Sequence, residues 1–115
     1  MSRQNISSNG PWEAAVGYSR AVRVGNQIFV AGTTSTNADG SVYGVGDPAA
    51  QVRRSFETIA AALAEAGATL SDVVRTRMFV TDISRWEEYG RAHGEVFAGI
   101  LPASTMVEVA ALISP

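Results

Sequence analysis

Few side chains in this sequence can do chemistry, and the absences narrow the choice. There is no cysteine and a single histidine, His93. Disulfides, thiolate metal sites, a cysteine nucleophile and a multi-histidine metal site are therefore excluded together. A Ser-His-Asp triad would have to be built around His93 alone. His93 falls on an apolar helical stripe between Tyr89 and Val96, where a lone histidine reads as a satisfied core residue. Ser104 and Thr105 have no base that the sequence identifies, which argues against a serine nucleophile. The glycines at 40, 44 and 46 precede a helix, but no GK[ST] ending follows them, so they read as a loop.

The remaining candidates are a cation, a carboxylate and aromatic side chains. Arg77 shares a strand face with Arg75 and Phe79 and could aim a positive charge at the space beside Ser104. Glu108 could position a water or act as a general base, provided burial raises its pKa. The competing reading pairs Arg75 or Arg77 with Glu108 as structural ion pairs. Tyr18 offers a phenol that can orient a substrate nitrogen or a water. Trp12 follows the Asn9-Gly10-Pro11 turn in a polar segment and is a candidate wall or lid. Trp86 reads as core.

The elements that must carry these residues follow from periodicity and turn chemistry. Val16 to Val24 reads as short extended segments, and Gly25-Asn26 is a two-residue hairpin turn leading into the strand Gln27 to Thr33. Asp47-Pro48 opens a helix as N-cap and first-turn proline. Val52, Phe56, Ile59, Ala60 and Leu63 form its apolar stripe, and Gly67 is its stop. Val73 to Val80 alternates as a strand. Ser84 and Glu87 have the spacing of a capping box at the start of a second helix. Ala103 to Ile113 closes the chain as a strand.

This order predicts an α+β sandwich, a mixed sheet with two helices on one face. The other face would carry Arg75, Arg77 and Phe79 from one strand and Ser104, Met106 and Glu108 from the last. Such a surface is too apolar for open water and too polar for a dry core, so burial against another copy of the chain is expected.

Composition bounds the function. The chain has 115 residues, 17% of them charged and 46% hydrophobic, which supports one packed domain spanning 1–115. Nine basic against eleven acidic residues give a net charge of −2, and the pI is about 5.3. That is no electrostatic footprint for nucleic acid. No run reaches the roughly 18 apolar residues that span a bilayer. The N-terminus lacks the apolar stretch of a secretory signal, so a soluble, cytoplasmic protein is expected.

Several blocks then resemble a known family. Val16-Gly17-Tyr18-Ser19-Arg20-Ala21-Val22, Ile28-Phe29-Val30-Ala31-Gly32, Val73 to Asp82, and Pro102-Ala103 with Val107-Glu108-Val109-Ala110 occur in its order and spacing. They are similar to the RidA/YjgF family, also labelled L-PSP endoribonucleases or translation inhibitors. The resemblance covers about Val16 to Leu112. It implies a chorismate-mutase-like fold and a homotrimer with an inner barrel and three inter-subunit clefts. It also implies hydrolysis of reactive 2-imino acids to 2-keto acids and ammonia, with no metal or organic cofactor.

Residue by residue, Tyr18 matches the family's cleft tyrosine, and Gly32 matches a glycine whose backbone lies near the ligand. Ser104 stands where the family carries its carboxylate-clamping arginine, followed by Thr105. Met106 replaces a frequent cysteine, and Gly90 an asparagine. The family's final strand, which brings a glutamate to the cleft, has no counterpart. Charge-assisted bonds to a carboxylate contribute about 1.5–3 kcal/mol each. Losing one weakens binding of an imino acid by roughly one to two powers of ten.

Three functions follow from an arginine-less member of this kind. The first is a RidA-like hydrolase acting on an imine or enamine, with Tyr18 and Glu108 catalytic. Gly32, Arg77, Ser104, Thr105, Met106 and Trp12 would then contact a small carboxylate or imine. The second is a non-catalytic trimer that binds a small ligand. The third is the endoribonuclease of the family label, ranked last because the chain is acidic and has one histidine.

Overall fold

Gly25 adopts φ 59°, the left-handed conformation a tight hairpin demands, and the two strands it joins form as the alternation predicts. The computed structural model describes residues 2–114. Strands β1 (Arg3–Ile6), β2 (Ala21–Val24) and β3 (Gln27–Val30) make an antiparallel sheet in the order β1-β2-β3. β1 is absent from the sequence-based expectation because Arg3, Gln4 and Asn5 hide it. Only Ile6 is buried, opposite Ala21 of β2.

Helix α1 (Pro11–Val16) also replaces what reads as a polar segment. Proline at its first position and Glu13 at N3, whose carboxylate accepts from the Gly10 N–H at 3.2 Å, set its start. Gly17, at φ 90°, ends it and turns the chain toward Tyr18.

Helix α2 (Pro48–Glu65) opens as expected, with the Asp47 carboxylate accepting from the Ala50 N–H at 3.1 Å. Gly67 follows its end at φ 84°. Ala62 and Ala66 lie against Ile6, Ala21 and Ile28, small side chains that let the helix settle close on the sheet. Helix α3 (Trp86–Val96) is not capped by Ser84 and Glu87. Asp82 instead accepts from the Ser84 N–H at 3.0 Å and from its hydroxyl, forming a 3-10 turn over Ile83–Arg85. Glu87 pairs with Arg91 at 3.4 Å. Asp82 thus takes the Ser84 N–H that a capping box gives to the Glu87 carboxylate, and engages the hydroxyl that would cap the Glu87 N–H. Trp86, at the head of α3, is 55% exposed rather than core.

Strands β4 (Arg75–Val80) and β5 (Ala103–Glu108) pair in parallel across α3, with β5 shorter than expected. The two sheets share no ladder among the described residues, so one mixed sheet is replaced by an antiparallel triplet and a parallel pair. The helices still lie together, each on its own sheet. Phe56 of α2 meets Phe97 edge-on at 4.9 Å between ring centroids, and Phe97 follows α3 directly. The α+β class stands.

Register corrects one expectation. Thr76 lies opposite Ser104, Met78 opposite Met106 and Val80 opposite Glu108. Paired residues in neighbouring strands point the same way. Ser104, Met106 and Glu108 therefore face the helix side, and Ala103, Thr105 and Val107 accompany Arg75, Arg77 and Phe79 on the outer side. Alternation defines two faces in each strand, while the pairing register alone decides which faces coincide. No described helix is long and apolar enough to cross a membrane.

Candidate ligand site at Tyr18

In β2, Ala21 and Arg23 point toward α2, which leaves Val22 on the outer face opposite Phe29 of β3 and Asn5 of β1. These three, with Arg3, Tyr18 and Ala31, line a concavity of about 540 Å³. Phe29 is 59% exposed there. Glu13 borders the same space, but its carboxylate is committed, accepting from the Ser8 hydroxyl and N–H and from the Gly10 N–H. Burial works to raise its pKa. The hydrogen bonds from Ser8, Ser7 and Gly10 outweigh that and hold the carboxyl below its ordinary value.

Behind Tyr18 lies Arg20, which the sequence analysis passed over. Its Nη1 donates to the Gly32 carbonyl at 2.6 Å and to Thr33 Oγ1 at 3.0 Å, and its Nη2 donates to the Tyr18 hydroxyl at 3.1 Å. Thr33 in turn donates to the Ala31 carbonyl at 2.9 Å. One guanidinium thus ties together Tyr18 and Gly32, two of the residues expected at a ligand site. An arginine two residues after Tyr18, at the mouth of a predicted strand, was the available signal.

A second polar cluster lies between β4, β5 and α3. His93 Nε2 is 2.8 Å from Thr76 Oγ1, and Thr76 Oγ1 is 2.8 Å from Ser104 Oγ. The imidazole packs against Phe56 and Phe97, at 5.8 and 4.7 Å between ring centroids. Desolvation there pushes its pKa below the usual 6.5. Ser104 is thus linked through one hydroxyl to a base that sequence spacing did not reveal. Residues 76, 93 and 104 meet only through the β4–α3–β5 crossover.

Several expected placements change. Arg77 lies on the opposite face of the β4–β5 pair from Ser104, beside Thr105, and cannot fill the space next to Ser104. Glu108 accepts from the Ile83 N–H at 3.0 Å through Oε1 and caps that turn. It pairs with neither Arg75 nor Arg77, and neither arginine forms an ion pair among the described residues. Glu108 is also exposed, so the burial that would make it a base is missing in the single chain. Met106 is half-buried opposite Met78. Trp12 stands on α1 at 60% exposed and does not line the Tyr18 concavity.

A short antiparallel sheet under one helix, beside a parallel β–α–β unit under another, defines a class of small α+β domains. The chain belongs to the endoribonuclease L-PSP family, whose model matches residues 8–115. It is 53% identical to Rv2704 of Mycobacterium tuberculosis, a member of the YjgF/YER057c/UK114 family. The TM-score to that crystal structure is 0.88, over 99% of this chain and 90% of the other. The YjgF gene product of Escherichia coli is 33% identical at a TM-score of 0.81, over 96% and 88% of the two chains. A RutC family protein of Pyrococcus abyssi is 38% identical over 95 residues, 83% of this chain and 75% of the relative.

Proposed function

We propose that the Tyr18 concavity is the working site of a RidA-like protein, and that it binds a small metabolite and hydrolyses its imine. The observation that carries this reading is the Tyr18 hydroxyl. It stands 36% exposed at the concavity, and no group among the described residues accepts its proton. It is free to hold a ligand or the water that attacks it. In the reaction, water adds to the C=N carbon, and the resulting carbinolamine expels ammonia to leave a ketone or keto acid. The protein's part is orientation in a partly dry cleft, with the phenol and nearby backbone groups holding the reacting atoms.

The cleft is completed by a neighbouring copy in a homotrimer. Phe79 and Val107 on one sheet and Phe29 on the other are exposed on the faces turned away from α2 and α3, which supports burial against sister chains. Ser104, Thr105, Met106 and Glu108 lie on the separate β4–β5 pair, and they reach a ligand at Tyr18 only if a second copy presents them.

A second reading, a binding trimer without chemistry, is favoured by one observation. Glu108, the one candidate base, is engaged as a turn cap by the Ile83 N–H and does not stand free. The nuclease reading has the least support, since the one imidazole is packed among phenylalanines.

Ammonia release from freshly generated 2-imino acids tests the proposal. We expect release above the buffer rate, reduced at least about tenfold in Tyr18→Phe. No release, together with thermal stabilisation by a keto acid, supports the binding trimer. Salt-sensitive RNA cleavage would support the nuclease.

A further inference from the structure

All nine basic residues of the chain are arginines, and Arg20 is the one buried among those described. It is 7% exposed and has no ion pair among the described residues. Its three hydrogen bonds all run to neutral oxygens, those of Gly32, Thr33 and Tyr18. Its Nε is enclosed and bonds to nothing described. Neutral acceptors compensate a buried guanidinium only in part, so a nearby negative charge is stabilised strongly.

Of the two exposed partners, Gly32 and Tyr18, only Tyr18 carries a proton that it can offer to a ligand. The phenol oxygen accepts from Nη2, and the guanidinium carbon lies 5.3 Å from the ring centroid. With a cation donating to its oxygen, the hydroxyl is a better donor than acceptor toward the concavity, and the chain of bonds strengthens that donation. An acceptor bonded to Tyr18 would lie about 6 Å from the guanidinium, within the range where opposite charge matters. Arg3 adds a second positive charge at the rim, while the Glu13 carboxylate is turned into its bonds with Ser8 and Gly10.

We propose that Arg20 is a positioning residue that fixes Tyr18 as an outward donor, so that the concavity takes its ligand by a small carboxylate whose charge Arg20 balances. This rests on the reading of the concavity as the ligand site. It supplies, from β2's mouth, the positive charge that Ser104 does not supply from β5.

The test is calorimetric titration of the full chain with 2-oxobutanoate and with its neutral methyl ester. The wild type is expected to prefer the anion by about tenfold or more. Arg20→Gln keeps a planar donor without the charge and should bring the two ligands near equality. Arg20→Lys should restore part of the preference, and Tyr18→Phe should weaken both ligands. An equal loss for both ligands in Arg20→Gln overturns the role of Arg20 and leaves the Tyr18 site standing. A wild type that binds neither ligand overturns both. Should Arg20→Gln not fold, the guanidinium resonances of the wild type decide. They are expected to shift on saturation with 2-oxobutanoate and not with the ester, and an identical response to the two overturns the proposal.

Discussion

Thr76 satisfies two side chains at once: its buried hydroxyl sits 2.8 Å from both the His93 imidazole and the Ser104 hydroxyl. Thr76→Val keeps the shape and removes the bridge. It should cost about 1–3 kcal/mol, the penalty of leaving a buried polar partner unpaired, read by urea denaturation. His93 itself titrates below the ordinary 6.5 because burial disfavours its charged form. Above that value the folded and unfolded chains bind the same number of protons at this site. As pH falls from about 6.5 through the lowered folded value, the unfolded chain protonates first, so stability falls with acidification. Stability of the wild type measured from pH 7 to pH 5 should decline more steeply than that of His93→Gln. Equal slopes would contradict the burial account. The sequence suggested a satisfied histidine on an apolar stripe, and that is the residue's environment. It could not show that the partner is Thr76, because the contact is made by the crossover and not by local spacing. Arg77 failed for the same reason, since its own alternation was legible while the register against Ser104 was not.

At the scale of elements, the signals that held were those written into adjacent residues. Asp47-Pro48 caps α2, and Gly25-Asn26 closes the β2–β3 hairpin. Asp47→Ala should destabilise the protein by about 1 kcal/mol, within the usual 0.5–2 range for an N-cap, visible as a lowered urea midpoint with unchanged slope. A change under about 0.3 kcal/mol would mean that α2 is held by its packing against the sheet and Phe97 and not by its cap. β1 was illegible because its residues are polar and its strand character comes from pairing with β2. The capping box at Ser84 was misread because Asp82, two residues upstream, captures the same N–H. Tyr18 was singled out through its resemblance to a cleft tyrosine. Arg20, which holds it, was not, because nothing in a linear reading says that a strand-edge arginine lacks a carboxylate.

At the largest scale, α2 and α3 leave the far faces of both sheets uncovered. Phe29 on one sheet and Phe79 on the other are 59% and 52% exposed, with Arg75 and Arg77 beside Phe79 and unpaired among the described residues. Large apolar side chains interleaved with charges at the centre of a sheet face fit a surface shared between copies better than one bathed in water. The same burial would bring Thr105 and Val107, the β5 side chains on that outer face, within reach of another chain's Tyr18. Light scattering after size exclusion, at micromolar protein, tests this most directly. The account predicts a species of three times the 12.1 kDa chain mass, reduced to single chains by Phe79→Glu. A well-folded wild-type chain running alone at 12.1 kDa would contradict it.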